Sequence, residues 1–133
     1  GAQTAEQIKI SVGSAMRTRS RNILVKGRDL VSGIPKTIDI RTDEIRQALK
    51  DPVKRILDVI KDALEATPAE LSSDIIDRGI VLAGGGSQLR GLDQVLREKT
   101  GVPVNVADEP HLAIVKGCGA VIEDLEKYKH VLL

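Results

Sequence analysis

The chain has 133 residues, a mass of 14.3 kDa and an ordinary globular composition, with 41% hydrophobic and 29% charged residues. Twenty basic against nineteen acidic residues give a net charge of +1, which excludes a global attraction to nucleic acid or to an anionic membrane. Tyr128 is the only aromatic residue, so stacking of bases on aromatic platforms is excluded as well. No apolar run approaches the roughly 20 residues that span a bilayer. These features predict a soluble domain without direct membrane insertion.

The first fifty residues have the pattern of a helix followed by a hairpin. Ile8 and Val12 lie four residues apart, which predicts a short helix over residues 4–15 that is capped near its start by a threonine. The β-branched runs at 23–27 and 36–40 predict the two strands of a hairpin with a long loop. Together these elements predict a small α+β unit.

A long helical pattern follows the hairpin. We expect Thr42 to cap this helix and Pro52 to kink or restart it, because proline lacks the backbone N–H that a helix interior requires. The residues beyond the proline repeat with the spacing of one apolar helix face: Val53, Ile56, Leu57, Ile60 and Leu64. This is the most regular helical pattern in the chain.

The later half alternates strand and helix patterns. The run "IIDRGIVLA" at 75–83 predicts a buried strand, residues 92–100 a helix and "VPVNVA" at 102–107 a second strand. Pro110 is expected to open a final helix that reaches about Tyr128. This alternation predicts an α/β fold, in which helices cover a parallel sheet.

Three consecutive glycines, Gly84, Gly85 and Gly86, follow the first of these strands. Open α/β sheets bind ligands at the carboxyl ends of their strands, and glycine lets a nucleotide approach the backbone closely. The spacing excludes a P-loop, since no Lys-Ser or Lys-Thr pair follows, and Leu89 excludes a dinucleotide fingerprint. A tight corner with no ligand remains an equally good explanation of the triplet from its spacing alone.

The sequence also resembles a known family. The segments "TAEQIKISVGSA", "GRDLVSGIPKTI" and "GIVLAGGGSQLRGLD" resemble, in the same order, the carboxy-terminal region of the MreB family of bacterial actins, which organise cell-wall synthesis in rod-shaped cells. The resemblance implies a fragment of an actin-like ATPase fold, with a ribonuclease H-like sheet, covering helices and a small α+β subdomain. Residues 1–50 would correspond to subdomain IIB, and residues 51–133 to the later part of subdomain IIA.

The family resemblance also implies an adenosine half-site. The residues that match the family's adenosine-binding positions are Glu6, Lys9, Gly84, Gly85, Gly86 and Gln88. The glycines would pack against adenosine, the Glu-Lys pair would reach the ribose and adenine, and the glutamine would lie beside the adenine. Taken without the resemblance, the Glu-Lys pair has the spacing of an ordinary surface ion pair. The full-length relative would bind ATP with Mg²⁺, whereas this chain is expected to have no catalytic residue, no metal ligand, no tightly bound nucleotide and no ATPase activity.

The implied partners are copies of the same protein and membrane proteins of the cell-shape complex. In the family's protofilaments, subdomain IIB of one subunit meets subdomain IIA of the next, which predicts a filament or homo-oligomer. The two strands predicted in the later half would have unpaired edges if they lacked sheet neighbours, and such edges favour pairing with another chain. The implied location is the cytoplasm, at the inner face of the membrane through the full-length protein. The alternative function is a non-catalytic interaction module that docks a regulatory membrane protein.

Other candidate sites have weaker support in the sequence. His111 and His130 match no zinc spacing with Cys118, which we expect to be a buried packing thiol that forms no internal disulfide. A basic cluster is formed by Arg17, Arg19, Arg21, Lys26 and Arg28. It is interpreted as a solvated surface, with an acidic partner or a phosphate backbone as the alternative.

Overall fold

A computed structural model describes residues 1–19 and 21–131 of the chain. The first helix, α1, covers Ala2–Val12 and ends at Gly13, whose N–H donates to the Lys9 carbonyl oxygen over 2.8 Å. The helix begins after Gly1 and has no side-chain cap, so the predicted threonine cap is wrong. The ending at Gly13 agrees with the helix pattern. No helix among the described residues is long and apolar enough to cross a bilayer.

The predicted hairpin is confirmed. Strand β1, Asn22–Arg28, pairs antiparallel with β2, Pro35–Arg41, with Asn22 opposite Arg41 at one end and Arg28 opposite Pro35 at the other. Residues directly opposite each other share a face of the sheet, so Ile23 lies beside Ile40 and Val25 beside Ile38. This apolar pairing fixes the register, since a slip of one residue would turn every one of these side chains to the other face.

Helix α2, Thr42–Glu65, is continuous through Pro52, so of the two predicted outcomes a restart at this proline is wrong and a kink stays a prediction. Proline leaves one helix hydrogen bond unmade, but the next residue, Val53, is buried in the core, and tertiary packing supplies most of the stability of helices in proteins. Thr42 does not cap the helix either. Its hydroxyl accepts the Arg21 N–H over 3.0 Å and lies 2.9 Å from the Arg21 carbonyl oxygen, which ties the helix start to the residue before β1.

The later half contains the remaining elements: α3 (Ala69–Arg78), β3 (Ile80–Leu82), a 3-10 turn (Gly85–Gln88), α4 (Leu92–Thr100), β4 (Val104–Val106), α5 (Ala113–Glu123) and a 3-10 turn (Lys129–Val131). The two strands β3 and β4 are parallel, with Ile80 opposite Val104, which confirms the predicted parallel pairing. Each of them pairs with one strand only within the described residues.

Two predicted elements of this half differ in length. The strand predicted over 75–83 is confined to β3, because Ile75 and Ile76 belong to α3 and Gly79, at φ 75°, ends that helix. The final helix covers Ala113–Glu123, so it neither begins at Pro110 nor reaches Tyr128, and both predicted ends are wrong.

The core joins α2, α4 and β4. Its buried residues are Val53, Leu92, Leu96 and Val104, and the last two are fully inaccessible. Helix α5 adds no buried residue, and its Ile114 and Val115 stay more than half exposed. The predicted division at residue 50 falls inside α2, and the assignment of 1–50 and 51–133 to two subdomains stays a prediction.

Candidate ligand-binding cleft

A cleft of about 630 Å³ lies between α1, α2 and the glycine turn. Five of the six residues singled out in the sequence line it: Glu6, Lys9, Gly85, Gly86 and Gln88. The sixth, Gly84, immediately precedes the lining glycines and forms the start of the turn. The fold therefore brings residues from two distant segments of the chain to one concave surface of a size typical for small-molecule sites.

The glycine turn is held by one hydrogen bond to the segment before α5 and by others within the turn itself. The Gly84 N–H donates to the Pro110 carbonyl oxygen over 2.6 Å, and the Ser87 hydroxyl donates to the Gly84 carbonyl oxygen over 2.7 Å. Ser87 is buried, and its own N–H also donates to the Gly84 carbonyl oxygen, over 3.2 Å. Gly84 has a φ of 81°, a conformation that only glycine adopts without strain. The turn itself explains this first glycine.

The other two glycines have a different explanation. Neither Gly85 nor Gly86 has a positive φ, and a Cβ atom added to either would meet nothing within 4 Å. The chain's own dihedrals and packing therefore do not require glycine at these positions. A tight corner accounts for Gly84 alone, and the bare backbone that remains faces open space in the cleft.

Glu6 and Lys9 form an ion pair on the α1 side of the cleft. The Lys9 Nζ lies 2.9 Å from each carboxylate oxygen of Glu6, and both side chains are about half exposed. Exposed ion pairs of this kind contribute less than about 1 kcal/mol to the free energy of folding. Either side chain can therefore leave the pair and bind a ligand group with little loss of stability. Together they offer both an acceptor and a donor to a polyol.

The rest of the cleft wall is largely aliphatic. Ile10 of α1 and Ile56 of α2 line it and are 69% and 43% exposed, which leaves apolar surface available to a ligand with a flat apolar face. Among residues 1–19 and 21–131, no group of three or more His, Cys, Asp or Glu side chains could hold a metal ion. The mixture of aliphatic wall and a few polar groups is suited to binding a small molecule.

A residue missed in the sequence holds the two sides of the cleft together. Ser14 is fully buried just beyond α1, and its hydroxyl oxygen lies 2.9 Å from the Met16 carbonyl oxygen and 3.2 Å from the Arg90 carbonyl oxygen. The Ala15 N–H also donates to the Arg90 carbonyl oxygen, over 2.9 Å. No local sequence signal marks such a contact, since serine is common in loops and its partner is distant in the chain.

The remaining candidate residues lie on the surface. Cys118 is exposed, so the predicted buried thiol is wrong, and the reason is that α5 has no covering element on that side within the described residues. His111 and His130 are exposed. The five residues of the basic cluster are exposed too, in agreement with a solvated surface.

Comparison with known protein families gives one clear relationship. The family model described as MreB/Mbl protein matches residues 1–130. The chain is 44% identical over 128 residues to the cell shape-determining protein Mbl of Bacillus subtilis, which covers 96% of this chain and 38% of that relative. It is 43% identical over 129 residues to the cell shape-determining protein MreB of Escherichia coli K12, which covers 96% of this chain and 37% of that protein. The chain thus spans less than two-fifths of the length of these relatives.

A solved structure agrees with the sequence relatives. MreB5 of Spiroplasma citri, in a crystal structure bound to ADP, superposes with a TM-score of 0.88 at 32% identity, over 98% of this chain and 40% of that one. This match confirms the predicted fold, a fragment of the actin-like architecture. Sequence and structure agree, and the chain belongs to the MreB/Mbl family of cell shape-determining, actin-like proteins.

Proposed function

We propose that this chain supplies the adenosine side of the nucleotide site of an ATP-dependent, filament-forming cell-shape protein. The observation that supports the proposal best is the pair of lining glycines, Gly85 and Gly86. Neither the dihedrals nor the packing of the fold requires glycine at these two positions. The relative MreB5 binds ADP in its crystal structure. The proposed site has the dimensions and the mixture of aliphatic wall and few polar groups that suit a nucleoside.

Each cleft residue has a proposed role. The adenine lies against the backbone of Gly85 and Gly86, where no side chain intervenes, and the Gln88 amide hydrogen-bonds to its edge. The Glu6 carboxylate accepts hydrogen bonds from the ribose hydroxyls, and the Lys9 ammonium donates to the same sugar. The phosphates and Mg²⁺ would be held by the parts of the full-length relatives that this chain does not match, so the chain alone is expected to bind nucleotide weakly and not to hydrolyse it.

A titration with adenosine and with ADP, followed by amide chemical shifts, tests this role. We expect roughly millimolar affinity, because half a crevice buries little of the ligand, with shifts centred on residues 6–9 and 84–88. Gly85→Val should abolish these shifts, since its side chain would occupy the space of the base. Gly27→Val is the matched control, because a Cβ there also meets nothing within 4 Å and lies on the hairpin. Absence of cleft shifts at millimolar ligand, or equal loss in the control, would refute the proposal.

Self-association is the second part of the proposal. The loop between β1 and β2 presents Leu30 and Val31 with 94% and 98% of their surface exposed. Neighbouring apolar side chains that are exposed to water often mark a protein–protein contact. The Asp29 carboxylate accepts the N–H groups of Val31 and Ser32 over 2.9 and 3.0 Å, which anchors the loop backbone next to the exposed pair. We infer that this loop contacts the 51–133 part of the next copy in a filament, with the subunits at the cytoplasmic face of the membrane through the full-length protein.

A further inference from the structure

A second, shallower groove runs between α2 and α4. Its volume is about 240 Å³, and it shares only Leu49 with the cleft described above. The floor is aliphatic and consists of Ala15, Leu49, Val53, Leu57 and Val95. At this size the groove takes one or two aliphatic side chains, which is less than the space a nucleotide requires.

One rim of the groove is entirely basic. Arg46, Lys50 and Lys54 line it and follow one another at intervals of four residues along α2. Among the residues that the structure describes, no acidic one lines the groove. Side chains four apart are neighbours on the surface of a helix, about 6 Å from each other, so the three cations form a row along one side of the groove.

The cations of this row are available to a partner. Lys50 is exposed and makes no ion pair with the described part of the chain. Arg46 lies 3.4 Å from Asp43, and Lys54 lies 2.8 Å from Asp58, which raises the pKa of that lysine through a hydrogen bond and its charge. Both acidic partners are on α2 itself. The Lys54 pair is exposed and exchanges readily, whereas the Arg46 side chain is 22% exposed.

We propose that this groove docks an amphipathic helix of a partner protein through its aliphatic side chains, with acidic residues of that helix along the row of Arg46, Lys50 and Lys54. A docked helix repeats its side chains at the same interval as α2, so carboxylates four residues apart can pair with successive cations while leucines between them fill the floor. An anionic bilayer is a poorer match, since the apolar surface is recessed between two helices. Nucleic acid is a poorer match as well, because the floor offers no aromatic surface for bases.

The probe is a capped helical peptide of about 15 residues with leucines along one face and glutamates on both flanks, labelled for fluorescence anisotropy. A peptide with lysines in place of the glutamates is its control. The glutamate peptide should bind and the lysine peptide should not. Lys50→Glu should weaken binding at least tenfold and Lys50→Ala by less, while Arg55→Glu, an exposed residue of the same helix outside the groove, should leave it unchanged. Amide shifts on binding should centre on Val53 and Val95.

Several outcomes would overturn this proposal. One is the absence of binding by the glutamate peptide to the unmodified chain. Another is an equal loss with Lys50→Glu and Arg55→Glu, which would mean that general charge attraction accounts for the binding. Loss of self-association in Lys50→Glu during sedimentation would show that a second copy occupies the groove. Loss of binding to vesicles of phosphatidylcholine and phosphatidylserine in the same variant would identify a membrane as the occupant.

Discussion

Ser14 and Arg90 are 76 residues apart in the sequence, yet the Ser14 hydroxyl lies 3.2 Å from the Arg90 carbonyl oxygen. The same carbonyl oxygen accepts the Ala15 N–H, so two hydrogen bonds join the end of α1 to the segment that follows the glycine turn. Helix α1 carries Glu6 and Lys9, and the turn carries the lining glycines. This seam, formed by the hydrogen bonds of Ser14 and Ala15 to the Arg90 carbonyl oxygen, therefore sets the distance across the candidate cleft.

Ser14→Ala should destabilise the fold by about 1–3 kcal/mol. The reason is that the substitution removes the buried hydroxyl that accepts the Met16 N–H and can donate to the carbonyl oxygens of Met16 and Arg90. Urea unfolding at constant m-value measures this loss. Ser11→Ala, at an exposed position of α1, is the control and should change stability by less than about 0.5 kcal/mol. Equal stability of the two variants would show that the seam is not a stabilising contact.

Gly79 and Gly117 should respond in opposite directions to alanine. At Gly79, φ is 75° and a new Cβ would lie 2.7 Å from the Pro103 Cβ and overlap the Pro103 carbonyl oxygen, so we expect a loss of about 2–4 kcal/mol. Gly117 lies inside α5 with open space around it, and alanine there should add about 0.5–1 kcal/mol. Thermal melting of both variants against the unmodified chain checks the signs. A neutral Gly79→Ala would contradict the close approach of Gly79 to Pro103.

The sequence was sufficient wherever local chemistry decides the structure. The hairpin was predictable because two β-branched runs flank a loop with turn residues, and α4 because Leu92 and Leu96 repeat at helical spacing. The glycine turn was placed correctly after its strand, and the family resemblance supplied the residues of α1 that face it.

Several errors have physical causes that a local sequence pattern does not show. Ile75 and Ile76 continue an apolar run into β3, and only the conformation of Gly79 separates helix from strand there. Pro52 sits inside α2 because Val53 beside it is buried in the core. Ser14 was missed since its partner Arg90 comes from a segment that no local pattern connects to it.

The hairpin loop should respond to acid through Asp29. The N–H groups of Ser32 and Val31, together with the nearby Lys36, hold the pKa of this carboxyl below its usual value. A lowered pKa means that the ionised form stabilises the loop above the usual pKa of aspartate, near 4, and that this contribution is lost as the pH falls through the lower folded value. Carboxyl carbon shifts of Asp29, recorded with the amide shifts of Val31 and Ser32, should titrate together below about pH 4. In Asp29→Asn the two amides should no longer titrate, and a midpoint at or above the usual value in the unmodified chain would contradict the loop geometry.

The exposed pair Leu30 and Val31 should control self-association. Replacing both with serine removes highly exposed aliphatic surface, at 94% and 98%, without changing a core residue, so the fold should keep its stability while the assembly weakens. Sedimentation at micromolar concentration should show the unmodified chain as a dimer or larger species, and Leu30→Ser with Val31→Ser as a monomer. The matched control is Ile114→Ser with Val115→Ser, a pair on α5 that is 69% and 62% exposed, which should leave the assembly intact. A monomeric unmodified chain would refute self-association of this chain altogether. Dissociation by the α5 variant alone would move the contact from the hairpin loop to that helix.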